Sequence, residues 1–170
     1  ALGVVALLIS LVGGRVIPIF SGNWMKKHNI ASLPAPFSTF DKLTLAATAI
    51  GLASWANAPE TNLTGYLFAA LSIAHAVRLF RWRGWQTTSE PLVLILHIAY
   101  AWRPIWFGLT GLAILAPDTF SASNALHALT AGTIGTMTMA IMTRAILGHS
   151  GRPLSAGRAT QAIYGFITTG

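Results

Sequence analysis

Arg15, His75, His97, Arg103, His127 and Arg144 all fall inside long apolar runs of this sequence. An ionisable group there costs about 2.5–3.5 kcal/mol on insertion scales, so each needs an interior partner or a task. Histidine has the widest chemical reach among them, because neutral imidazole ligates metals and the iron of haem. His75 precedes Arg78 by about one turn, and His97 lies about two turns into the next apolar run. At roughly 1.5 Å rise per residue, antiparallel helices bring the two to similar depth. The pair reads in two ways: as ligands holding a haem between helices, or as imidazoles hydrogen-bonded to a carbonyl or a Ser/Thr. His127, three residues after Asn124, shares that residue's helical face. It is alone at its depth, so ligation there needs a partner from elsewhere. His149, between Gly148 and Gly151, can ligate or can sit among headgroups, and His28 is a loop histidine without a signal.

Arg103 is followed by Pro104 in "AYAWRPIW". Proline breaks the backbone ladder, and a guanidinium beside freed carbonyls makes a polar pocket that must be buried in protein or line water. A carboxylate or a haem propionate would satisfy Arg103; the plainer reading pairs it with the carbonyls of its own kink. Met137, Met139 and Met142 offer soft sulfurs suited to Cu(I), and methionines equally serve as gap-fillers. The sequence has no cysteine. Thiolate metal sites, disulfides and cysteine nucleophiles are therefore excluded within it. No Ser-His-Asp arrangement, phosphate-cradling glycine loop or HExxH motif occurs. Asp41, Glu60, Glu90 and Asp118 are the only acids, each in a loop or at an interface, which disfavours paired-carboxylate catalysis.

The elements that carry these residues are dictated by composition. Of 170 residues, 54% are hydrophobic and 9% charged, against about 25% charged in soluble proteins. Most helix surface must face something other than water. A spanning helix needs roughly 20 apolar residues. The runs fall near Leu2–Phe20, Leu43–Asn57, Leu63–Phe80, Pro91–Ala116 and Asn124–Leu147, with a sixth from about Arg158 cut at Gly170. The second is short and either extends back to Phe37 or is met by a thinner bilayer. The expectation is an all-α polytopic transmembrane helix bundle, about five complete spans plus a truncated sixth. Both termini lie inside apolar runs, so the chain, 1–170, reads as one membrane domain of a larger protein.

The net charge of +7 does not indicate nucleic acid, because the basic residues cluster at the ends of apolar runs. Lys26, Lys27 and Lys42, then Arg78, Arg81 and Arg83, then Arg144, Arg152 and Arg158 mark alternate loops. The intervening loops carry Glu60 and Asp118 and no base. That alternation follows the positive-inside rule. It places the basic loops in the cytoplasm and Ala1 outside. Trp24, Trp55, Trp82 and Trp85 sit where interfacial belts form. Trp102 and Trp106 lie deeper, packed in the core or against a ring system. Arg144 can reach headgroups by snorkelling, and Gly148 is positioned to cap its helix.

Three blocks in order, "GGRVIPIFSGNW" (Gly13–Trp24), "RLFRWRGWQTTSEPLVLILHIAYAW" (Arg78–Trp102) and "ALHALTAGTIGTMTMAIMTRAILGHSGRP" (Ala125–Pro153), resemble the NnrS family. These are bacterial inner-membrane proteins of the nitric-oxide and nitrosative-stress response. The resemblance implies a protein of roughly twelve spans holding haem b and copper, with this chain about half of it. It directs attention to His97, His127 and His149, with His75 in a less distinctive stretch, and to Arg15, Arg78, Arg144 and Arg152. Taken with the residue reading, His75, His97 and His127 are candidate metal ligands, and His149, Arg15, Arg103 and Arg144 are candidates around a cofactor. Arg103-Pro104 departs from the family pattern, where a leucine-proline stretch is expected. The function so implied is protection of cellular metal cofactors. Two alternatives stay open: a b-haem quinol oxidoreductase or NO-reducing subunit, and a transporter of copper, haem or a small anion. The topology is open to direct test. A reporter active only in the periplasm is expected to be silent when fused after Arg83 and active after Asp118. The reverse pattern would invert the map.

Overall fold

A computed structural model describes residues 2–169, and among them every regular element is helical. The helices are α1 Leu2–Lys27, α2 Thr39–Asn57, α3 Asn62–Arg81, α4 Pro91–Leu115, α5 Ala122–His149 and α6 Arg158–Thr169. A 3-10 turn, Gly84–Thr87, lies between α3 and α4, and Ala128–Gly135 of α5 is wound as a π-helix. Ala1 and Gly170, where the sequence places an outer terminus and a cut span, lie outside the described residues.

The helix starts are written in local chemistry. Asp41, in the first turn of α2, accepts from the Ser38 backbone N–H at 2.9 Å and so closes a capping box. Thr61 caps α3, accepting from Thr64 N–H. Glu90 caps α4 with Pro91 at the first helical position, where a missing N–H costs nothing. Ser121 caps α5. At the far end of α5, Gly151 takes the left-handed conformation, φ 65°, and Arg152 N–H bonds back to the Leu147 carbonyl. That is a Schellman termination. Gly148 therefore lies inside the helix, and Gly151 does the capping expected of it.

α1, α3, α4 and α5 are long and apolar enough to cross a membrane. α2, expected as a short span, does not reach that standard among the described residues. Asp41, Lys42, Thr44 and Thr48 lower its hydropathy. α1 runs two turns past its expected end at Phe20, carrying Lys26 and Lys27 in its last turn. The outward surface is apolar: Leu8, Ile19, Leu43, Ile50, Ile73, Phe80 and Phe166 are all exposed. A soluble protein hides such residues, whereas lipid solvates them.

α4 is the hub, packed against α1, α3, α5 and α6, while α2 packs on α1 and α3. Its buried side chains join two clusters. One, toward the α3–α4 loop, gathers Ile17, Trp82, Leu96, Tyr100 and Met137. The other, toward the α2–α3 loop, gathers Leu52, Phe68, Trp106, Phe107 and Leu129. Trp106 meets Trp55, Phe68 and Phe107 ring to ring, and Trp102 packs over Gly132, so both deep tryptophans pack against protein.

Glycine lets α3 and α4 touch backbone to backbone. A Cβ on Gly111 would stand 3.0 Å from the Gly65 carbonyl oxygen and 3.1 Å from Ala69 N. Small residues at such crossings let dispersion act between main chains, the chief attraction available between helices in lipid. Gly111→Leu is expected to separate α3 from α4 and lower stability by about 1–3 kcal/mol, the usual range for overpacking. Thermal unfolding of the detergent-solubilised protein would read this as a lower midpoint.

Candidate functional site

Polar side chains converge where α1, α2, α3 and α4 meet. Asp41 is buried, and Arg78 is completely so. Arg78 Nε donates to Asp41 Oδ1 at 2.9 Å, and Arg81 donates to Asp41 Oδ2 at 3.2 Å. Arg81 also donates to Ser38 Oγ at 3.0 Å. One carboxylate thus serves two guanidinium groups and the start of its own helix. Arg78 reaches on, donating to the Ser10 carbonyl at 2.8 Å and the Tyr100 hydroxyl at 3.1 Å. Gly14 makes this possible, since a Cβ there would run into the Arg78 guanidinium.

The bonds fix the state of His75. Tyr100 accepts from Arg78, so its own proton is directed to His75 Nδ1, 2.9 Å away. Thr48 donates its hydroxyl proton to the Thr44 carbonyl at 2.7 Å, so it accepts from His75 Nε2 at 3.0 Å. The imidazole is therefore neutral with its proton on Nε2, and both nitrogens are occupied. Of the two sequence readings of His75, the structure displays the hydrogen-bonded one.

His97 differs. Ser21 donates its hydroxyl proton to the Ile17 carbonyl at 2.8 Å, and its oxygen lies 2.7 Å from His97 Nε2. With its proton on the Ile17 carbonyl, Ser21 accepts there, and in that tautomer the ring proton is on Nε2 and Nδ1 carries the lone pair. Nδ1 is buried and has no hydrogen-bond partner. It faces Gly84, where a Cβ would crowd the ring. His97 borders an apolar groove of about 360 Å³, lined also by Leu79, Phe80, Trp85, Ile98 and Pro104. His75 and His97 stand equally far from the loop between α3 and α4, counted from Arg81 and Pro91. Trp82 packs on both Tyr100 and His97, so the two histidines share one neighbourhood but are not bonded to each other.

Arg103 is completely buried between the rings of Trp106 and Phe107, its guanidinium carbon 5.6 Å and 5.1 Å from their centroids. Nε, Nη1 and Nη2 all lack a hydrogen-bond partner. The expected pairing with its own kink is not what the structure shows, and the Pro104 carbonyl instead accepts from Ser72 Oγ at 2.7 Å. The other expected residues lie apart. His127, His149 and Arg15 are exposed, with Arg15 over the Phe37 ring. Arg144 is half-buried, its guanidinium carbon 4.0 Å from the Phe20 ring centroid, a cation–π contact in place of a simple reach to headgroups. Met137 is buried, Met142 is exposed, and no group of three His, Asp or Glu lies close enough to hold a metal among the described residues.

The sequence did not single out Asp41, Ser21 or Tyr100, and it assigned Arg78 to a basic loop. One signal was available: His75, Arg78 and Arg81 recur at three-residue spacing and so share a helix face. Asp41 is the single acid in the long first basic loop, and it is the partner they need.

Removing one member of a buried pair strands the other. Arg78→Ala is expected to cost about 3–5 kcal/mol on that ground. Arg83→Ala, in the loop, should leave the unfolding midpoint unchanged; equal effects would deny the pair its role.

The model of a protein family described as NnrS protein matches residues 1–170. No curated protein and no solved structure matches the chain.

Proposed function

The chain belongs to the NnrS family, and from that membership we propose that it is a haem-binding protein of the nitrosative-stress response, spanning the bacterial inner membrane with its basic loops in the cytoplasm. The observation that carries the haem reading is the bare Nδ1 lone pair of His97. Ser21 holds the opposite edge of the ring and fixes the tautomer, the role that outer partners play around metal-bound histidines. The adjoining groove is apolar and opens at the surface of the bundle, the environment a macrocycle needs. Phe80 and Trp85, whose rings lie 4.7 Å apart, form one wall. Of the residues beside this groove, His97 is the one that would hold a haem, and Gly84, which covers its Nδ1, would have to move aside for it to do so.

When bound, such a haem supplies an iron centre able to bind nitric oxide. The chain's own residues do the rest. His97 offers its lone pair, Ser21 orients the imidazole, and the apolar walls exclude water. His75 is not spare in this arrangement, since Tyr100 and Thr48 occupy it. Copper, which the family resemblance also implies, finds no group of three His, Cys, Asp or Glu among the described residues, and Met137 is buried whereas Met142 is exposed. No step through copper follows.

Protein expressed with haem is expected to show a Soret band at one haem per chain, lost in His97→Ala and kept in His127→Ala. Ser21→Ala should keep the band but weaken haem retention about 10- to 100-fold, the usual effect of losing an outer partner. Wild-type protein without a Soret band, or a band indifferent to His97→Ala, would sink the reading.

A further inference from the structure

We propose that Arg103 is a binding site for a small carboxylate or planar oxyanion, reached from a cavity at the outer end of the bundle. The reasoning starts with charge. Completely buried Arg78 and Arg103 share this part of the interior with one carboxylate, Asp41, which is already divided between Arg78 and Arg81. Glu90 caps α4, and Asp118 and Glu60 are exposed, so no acid of the chain is bonded to Arg103. An isolated buried cation is expensive, and guanidinium stays charged at any ordinary pH. All three of its nitrogens are unpartnered, and so is Arg78 Nη2. The donors form a planar fork, which carboxylates and planar oxyanions match with two parallel bonds.

The nearest open space on the outer side is a cavity that the Trp106 ring separates from Arg103. It measures about 690 Å³ and is lined by Trp55, Glu60, Trp106 and Thr110 among others. Thr110 Oγ1 is buried there without a hydrogen-bond partner. Arg103, Trp106 and Thr110 follow one another at helical spacing along one face of α4. The Trp106 ring therefore borders both the cavity and Arg103, with Thr110 as a polar contact on the way in. Apart from Thr110 and the exposed carboxylate of Glu60, which opposes an anion at the rim, the cavity's walls are apolar and strengthen the attraction of a buried guanidinium.

This site is separate from the His97 groove and does not rest on the haem reading. A carboxylate can come from two sources, a free anion or the propionate of a bound haem, and one experiment separates them. The full chain in nanodiscs is titrated with formate, using chloride as the spherical control. Binding is read by saturation-transfer NMR of [13C]formate and by the unfolding midpoint. Formate should bind saturably and raise the midpoint more than chloride does. Arg103→Gln should weaken formate at least about tenfold, the loss of one charge-assisted bond. Arg152→Gln, in an exposed loop, should change nothing. Should Arg103→Gln fail to fold, Arg103→Lys keeps the charge and loses the fork, and the preference for formate over chloride should fall. Added haemin assigns the source: competition with formate places a propionate on Arg103, and independence leaves a free anion. No saturable formate response in wild type, or the same response in Arg103→Lys, overturns the proposal.

Discussion

A single carboxylate near the α3–α4 loop end of the bundle holds four helices in register. Asp41 is buried at the start of α2, and Arg78 and Arg81 come to it from the end of α3. From Arg78 the bonds pass to the α1 backbone at Ser10 and to Tyr100 on α4. In water such a pair contributes little. Here Arg78 and Asp41 are buried together, and the hydrophobic effect does not hold helices together in lipid. Directional bonds and close packing at glycines take over that task. The Asp41 network sets where α1 to α4 sit, the Gly65–Gly111 crossing sets how near α3 and α4 come, and the aromatic cluster around Trp106 fills the opposite half.

That framework determines what the two interior histidines can do. His75 lies within the chain of bonds, and the direction of every proton around it is set by Arg78 at one end and the Thr44 carbonyl at the other. His97 lies at its edge, with one nitrogen tied to α1 through Ser21 and the other left open. Two imidazoles that look alike in sequence are thus given unlike roles: one braces the bundle, and the other keeps an unpartnered Nδ1 buried against Gly84 beside a groove. Arg103, a turn beyond Tyr100, is left with only aromatic rings around it.

The helices were legible because composition and periodicity act locally. Each observed span lies within a few residues of its expected bounds, apart from α1, whose polar last turns extend beyond the apolar run. The depth match of His75 and His97 also followed from counting. What counting could not supply was the partner of each polar group, since that depends on which faces meet. Asp41 looked like a loop residue because it sits beside Lys42, and Arg78 looked like a member of a basic cluster. Only the fold turns Asp41 inward and brings it to Arg78. Gly148 drew attention as a cap because it follows the apolar run, while three residues on Gly151 has the left-handed backbone that the task requires. The weak standing of α2 as a span was visible in its threonines. That the Thr48 hydroxyl, bonded to the Thr44 carbonyl, meets His75 Nε2 was not.

The π-wound stretch of α5 has one more consequence. Each turn of such a winding takes in about one residue more than an α-turn, so the two halves of the helix no longer share a common angular phase. A wheel drawn from Ala122 onward at 100° per residue therefore misplaces everything after Gly135. Within "GTMTMAIMTR" the sulfur at Met137 and the methyl at Ala140 look inward toward α4, while Met142 looks out. Those assignments belong to a second wheel, begun afresh at Thr136, which explains why no single periodicity accounts for this segment.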